Sequence, residues 1–168
     1  FHDVFHLPEK ESWKPDNRLA VNFPRYITET FLGYAYGIPM KKSHPDTKIK
    51  DAIIEFDRDN DISDQEYELA KKCCIYGHAF EYFYQDEEAK TKTVICNPKE
   101  LFVAYDDTVK NRALFAIRYG YRDDKVTRHG EILTREKIIP FEGEIMQESI
   151  PNPYGRINCV EYMLNDER

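Results

Sequence analysis

Cys73-Cys74-Ile75-Tyr76-Gly77-His78-Ala79-Phe80-Glu81-Tyr82-Phe83-Tyr84 is the stretch where the periodicity of this chain changes. Up to Tyr76 the apolar residues recur at helical spacing: Tyr67, Ala70 and Cys74 share a face, flanked by Leu69 and Cys73. Gly77 is the residue type that stops a helix in the left-handed conformation. From His78 the pattern becomes extended and aromatic-rich, the composition of a strand. Working back from this point, Ser63 and Glu66 read as a capping box, which predicts a helix over 64–76. Its cysteines then read as core residues rather than reactive ones. Working forward, Asp86-Glu87-Glu88 makes a polar turn before Thr91-Lys92-Thr93-Val94-Ile95-Cys96, so the two runs predict a β-hairpin.

Further toward the N-terminus, Leu19, Phe23, Ile27 and Phe31 recur every four residues behind Asp16-Asn17, predicting a helix from about 17 to 35. Pro24 must break its ladder near 22–24, or else a second helix starts there with Asn22 as cap and Pro24 in the first turn. Gly33, Gly37 and Pro39 mark the end of this helix, and Lys41 to Pro45 is a polar connection. Asp46 or Thr47 opens a further helix whose buried stripe is Ile49, Ile53 and Phe56. Toward the C-terminus, Asn97-Pro98 breaks the hairpin. Short strands are expected at Leu101 to Tyr105, Ala113 to Tyr121, Val126 to Leu133, Ile138 to Phe141 and Asn158 to Leu164. Their turns fall at Asp106-Asp107, Asn111 and Asp123-Asp124, and 151–155 reads as a rigid loop. Runs of strands after runs of helices predict an α+β fold, N-terminal helices followed by an antiparallel β-sheet region, and not alternating β-α-β units. We read 1–168 as a single domain with a helical part (16–77) and a mainly β part (78–164). Its start, Phe1-His2-Asp3-Val4-Phe5-His6, has the features of neither a signal peptide nor a natural terminus, so a fragment of a longer chain is expected.

With 168 residues, 41% hydrophobic and 14% aromatic, the chain can build one hydrophobic core and is far too aromatic for a disordered tail. Its uninterrupted apolar runs are a few residues long, well short of the ~20 needed to cross a bilayer. Lys and Arg total 24 against 31 Asp and Glu, a net charge of -7, which disfavours whole-surface attraction to nucleic acid or anionic lipid. Four cysteines are too few for a disulfide scaffold of this length, and reduced thiols are expected.

No phosphate-binding loop, dinucleotide fingerprint or serine nucleophile elbow is present, and no Cys-x-x-Cys suggests zinc. We therefore expect no catalytic residue and no cofactor. His78 reads as a strand-start residue and His129, before Gly130, as a turn residue. Arg118, a charge within a sheet run, needs a carboxylate partner if it points inward. The tyrosines and phenylalanines could stack on single-stranded nucleic acid, but their neighbours Glu81, Asp86, Glu87 and Glu88 are acidic, so packing is the better account. One cluster merits weighing as a metal site. Asp57, Asp59 and Asp61 lie between two helices, with Glu68 at the twelfth position of a calcium-type loop. The sixth position, which needs Gly, is Ile62, and Ser63 already reads as a helix start, so a solvated linker is favoured over a weak cation site. A cation-binding module built on Asp57, Asp59, Asp61 and Glu68 is one alternative function. A metal-dependent phage hydrolase using carboxylates such as Asp106 and Asp107 is another.

The order of the segments carries a resemblance. Thr30-Phe31-Leu32-Gly33-Tyr34-Ala35-Tyr36-Gly37-Ile38-Pro39 is followed by Cys74 to Tyr84, then by Ala116-Ile117-Arg118-Tyr119 and Ile138-Ile139-Pro140-Phe141. Asn152-Pro153-Tyr154-Gly155-Arg156-Ile157-Asn158-Cys159-Val160-Glu161-Tyr162 closes the series. In this order, over about 16–166, the chain resembles the portal proteins of tailed bacteriophages, in the SPP1-like branch typical of phages of Gram-positive hosts. The resemblance implies a structural, non-enzymatic subunit of a ring at one capsid vertex. Such a ring passes DNA during packaging and ejection, and the chain would be its outer wing region. It implies homo-oligomeric contacts with other portal subunits, and docking of terminase and head-completion proteins through regions absent here. DNA would pass through the channel without binding this region, and no membrane is involved. Localisation would be the virion, with the bacterial host cytoplasm during assembly.

Overall fold

The computed structural model describes residues 11–15, 22–121 and 126–164. Among the described residues three helices, α1 (Phe23–Tyr36), α2 (Thr47–Asp59) and α3 (Ile62–Tyr76), precede the strands. Nine strands follow among the described residues: β1 (His78–Gln85), β2 (Thr91–Cys96), β3 (Leu101–Tyr105), β4 (Ala113–Tyr121), β5 (Arg128–Leu133), β6 (Lys137–Glu142), β7 (Ile145–Met146), β8 (Ile150–Pro151) and β9 (Cys159–Met163). The α+β arrangement expected from the change of period at Gly77 is the observed one.

Local chemistry explains most boundaries. Of the two readings of the first helix, the described residues take the second: Asn22 Oδ1 accepts a hydrogen bond from the Arg25 amide at 3.0 Å and Pro24 sits in the first turn. The part of that expectation covering 17–21 lies outside the described residues. Asp46 caps α2 by accepting from the Lys48 amide at 2.8 Å. Gly77 ends α3 at φ +83°, its amide donating to the Cys73 carbonyl at 2.8 Å, as the left-handed stop requires.

The start of α3 corrects the sequence reading. Ser63 and Glu66 form no capping box; the cap is Asp61, itself in the left-handed region at φ 48°, and it makes no side-chain cap bond. The helix starts early because the α2–α3 junction is tied down from outside. Asn60 is buried, donates to the Phe56 carbonyl at 2.9 Å and accepts from the Thr93 amide of β2 at 3.1 Å. Gln65 spans the same gap, donating to the Asn60 carbonyl at 2.7 Å and to the Thr93 carbonyl at 2.9 Å. A buried polar knot of this kind fixes a two-residue corner that local propensity would have drawn out. The expected buried stripe of α2 is also corrected, since no residue of that helix is buried: Ile53 and Phe56 are half-covered and Ile49 is exposed.

The β region is two sheets, where a single one was expected. One is three-stranded in the order β2-β1-β9; the other is six-stranded in the order β3-β4-β5-β6-β7, with β8 also paired to β6. All pairings are antiparallel. The final strand does not join its sequence neighbours. It returns to lie against β1, pairing Tyr82 with Cys159 and Glu81 with Val160. Part of the expected rigid loop at 151–155 is the short strand β8. His129, read as a turn residue, lies with Gly130 inside β5, within the strand expected over 126–133. A glycine is needed there because a Cβ would run into the Arg118 carbonyl oxygen and stand 2.9 Å from the Phe141 ring.

The core lies between the sheets. Phe80, Tyr82 and Cys159 of the smaller sheet meet Leu101, Ala116 and Leu133 of the larger one, with Val103, Ile138 and Ile157 packed around them. Burying a side chain such as Phe80 contributes roughly 2–3 kcal/mol. The other face of the three-stranded sheet is covered by α3, where Ala70 and Cys73 are buried near Ala79. The result is three layers in the order helices, small sheet, large sheet.

Candidate functional site

Between α1, α2, α3 and the three-stranded sheet lies a cleft of about 670 Å³. Its floor is apolar, from Leu69, Ala70 and Cys73 of α3 and Phe83 and Ile95 of the sheet, and its walls are Phe31, Phe56 and Tyr162. Polar groups interrupt it, Lys42, Gln65, Glu66 and Glu81. Lys42 at the rim reaches Asp57 at 3.0 Å and Glu66 at 3.2 Å. Partial burial works against its charge, but the hydrogen bonds to the two carboxylates outweigh this and hold the ammonium above its ordinary pKa. Glu81, in the sheet wall, accepts from Thr93 Oγ1 at 2.7 Å and from the Tyr162 hydroxyl at 2.8 Å. Burial, seconded by Glu81, pushes the Tyr162 phenol up to about 12.

Two charged links join the sheets on the opposite side. Arg118 donates to Glu131 Oε1 at 2.7 Å and its guanidinium stands 4.9 Å from the centre of the Tyr82 ring. The carboxylate that an inward arginine requires is thus on the neighbouring strand, and cation–π contact ties β4 to β1. Nearby, Glu161 accepts from the Tyr105 hydroxyl at 2.6 Å and bonds His78 Nδ1 at 2.9 Å. Sequence reasoning assigned His78 no partner; the partner lies 83 residues away on β9, so no local signal could have named it.

The acidic residues singled out in the sequence are not drawn together as a loop. Asp57 and Asp59 belong to the last turn of α2, where a linker was expected, Asp61 caps α3, and Glu68 lies well inside α3. Three of them are engaged locally: Asp57 with Lys42, Asp59 3.5 Å from Arg58, and Glu68 3.5 Å from Lys71. Among the described residues no group of three or more His, Cys, Asp or Glu could hold a metal ion. Asp106 caps the β3–β4 turn, accepting from the Arg112 amide at 2.7 Å and Thr108 Oγ1 at 2.9 Å. These bonds outweigh desolvation and lower its pKa, the reverse of what a general acid needs. All four cysteines are free thiols; Cys73 and Cys159 are buried, and burial, with Cys96 nearby, pushes the Cys159 thiol up to about 12. That is a core thiol and not a nucleophile.

The arrangement is therefore one of packed layers and inter-sheet ties. Among the described residues no helix is long and apolar enough to cross a membrane. A search of curated proteins returned no match. The family model described as "Phage portal protein, SPP1 Gp6-like" matches residues 2–168, essentially end to end. The chain belongs to the SPP1 Gp6-like family of phage portal proteins, structural proteins of the capsid vertex that serve DNA packaging.

Proposed function

We propose that this chain acts as the wing region of a portal subunit, working through shape and mutual packing with no reaction centre of its own. The observation that carries this reading is the family match over 2–168. The geometry supports it, because Asp57 and Glu68 are held in ion pairs and Asp106 caps a turn. In this reading 1–168 is one domain whose helical and β parts share the small sheet as common wall. Its neighbours in the ring are other copies of the same subunit. Terminase and head-completion proteins dock elsewhere on the portal, and DNA passes without being gripped by this region. The protein resides in the host cytoplasm during assembly and at the portal vertex of the virion afterwards. Phage assembled with an epitope-tagged chain should carry the tag at a single vertex, the one that bears the tail, when imaged with gold-labelled antibody. A tag spread over the whole capsid, or absent from virions, overturns the reading.

A further inference from the structure

The three-layer order leaves two large apolar surfaces on the outside of the molecule. The first is the outer face of the six-stranded sheet. Residues directly opposite each other across a sheet share a face, and Ala116, Val103 and Leu133 form a row that points into the core. The next row, Phe102–Ile117–Ile132–Ile139, therefore points outward across four strands. Beside it run Ala104–Phe115 and Tyr119–Gly130–Phe141–Met146. Every side chain in these rows is apolar or aromatic, none is buried, and Phe102 and Met146 are openly exposed. A solvated sheet face ordinarily alternates to polar residues.

The second surface is on α1. Phe23, Tyr26, Ile27 and Tyr34 follow helical spacing and are between 62% and 93% exposed, on the side away from the fully buried Leu32. Four side chains of this size, so exposed, present about 500 Å² of largely apolar area. A stable interface takes roughly 800 Å² per partner, so this stripe forms the greater part of one. Charge does not obstruct it: Arg25 on the same helix is already paired with Glu29 at 2.8 Å, and Arg128 at the sheet margin donates to the Tyr121 hydroxyl at 3.1 Å.

One surface is a broad sheet and the other a convex helix, and a helix laid on a sheet is a standard layer pairing. Because they are different patches of one chain, a contact between them is heterologous. Repeated from copy to copy it propagates, and where the rotation between copies closes it forms a ring, whereas like-to-like pairing stops at a dimer. We propose that α1 of one subunit lies across the outer face of the neighbouring subunit's six-stranded sheet, Ile27 and Tyr34 resting on the Phe102–Ile117–Ile132–Ile139 row. This rests on the ring-subunit reading above and names the surfaces that reading leaves open.

Disulfide cross-linking within assembled rings tests it. A chain carrying both Ile27→Cys and Ile117→Cys should, on oxidation, give a ladder of covalent multimers, and either single variant should give none. A second pair, Tyr34→Cys with Phe102→Cys, uses exposed positions at which folding is not at stake. A ladder from neither pair in rings of normal mass overturns the contact and shows the faces to be covered by another segment or another head protein. Cross-linking by a single variant overturns it too, because it reports α1 on α1 or sheet on sheet. Failure of the unmodified chain to form rings at all overturns the ring reading together with the contact. As a further check, Tyr34→Lys should raise the concentration for half-assembly at least tenfold while leaving the far-ultraviolet dichroism and melting temperature of the subunit unchanged. Undiminished assembly sinks the proposal.

Discussion

At the scale of single residues, the decisive positions are those where a side chain, or its absence, settles what can approach what. Gly130 is the clearest. Its neighbours Arg118 and Phe141 occupy the space that a Cβ would need, so the strand tolerates only hydrogen there. Gly130→Ala should destabilise the domain by about 2 kcal/mol or more, read as a lower midpoint in urea unfolding; a midpoint unchanged from the parent contradicts this packing. The same residue shows how far sequence reading reaches. A strand over 126–133 was readable there, but the need for glycine was not, because it comes from the Arg118 carbonyl and the Phe141 ring on the two adjacent strands. Arg118 was legible as a demand for a carboxylate, but its answer, Glu131 on the next strand and Tyr82 on the other sheet, depends on pairing register.

Among the elements, the helices differ in how much of themselves they spell out. The N-cap of α1 and the glycine stop of α3 are local hydrogen-bond devices and were readable from residue type and spacing. The α2–α3 corner was not, because Asn60 and Gln65 bond the backbone of β2 across some thirty positions of sequence. Asn60→Ala removes the acceptor of the buried Thr93 amide and frees the corner, so a loss of about 2–4 kcal/mol is expected. Hydrogen exchange should then show α2 opening while the inter-sheet core stays protected. Equal loosening of both would show that the knot does not hold the corner specifically. The acidic run at 57–61 looked like a linker for the same reason: the corner that absorbs it into α2 is imposed by β2.

For the whole molecule, stability and charge lead to two expectations. Burial, with Glu81 nearby, pushes Tyr162 up to about 12; burial, with Glu131 nearby, also pushes Tyr82 up; and burial pushes Cys159 to about 12. A group whose folded pKa lies above its unfolded value, near 10 for tyrosine and 8.5 for cysteine, contributes stability that is complete below the unfolded value. That contribution is lost as pH rises through the folded one. Melting temperature should therefore fall between about pH 9 and 12, while phenolate absorbance lags behind that of the unfolded chain. Tyrosines that all ionise near 10 in the native protein would refute the burial described. With a net charge of -7, the chain should not retard duplex DNA detectably in a gel at physiological salt. Submicromolar binding would contradict the proposal that DNA passes this region without being gripped.

What the sequence determined by itself was whatever rests on near neighbours along the chain: helix or strand period, caps, the Gly77 stop, the hairpin, the α+β order and the segment order that marks a portal protein. The tertiary structure alone decided that the β half divides into two sheets, that β9 returns to β1, and that Glu161 meets both His78 and Tyr105. It also left the outward rows of the large sheet and the α1 stripe facing solvent together. The physical reason is one of range. Backbone conformation responds to residues within a few positions, whereas sheet partnership and the choice of buried face follow from where the whole apolar surface can be hidden, which no short window contains.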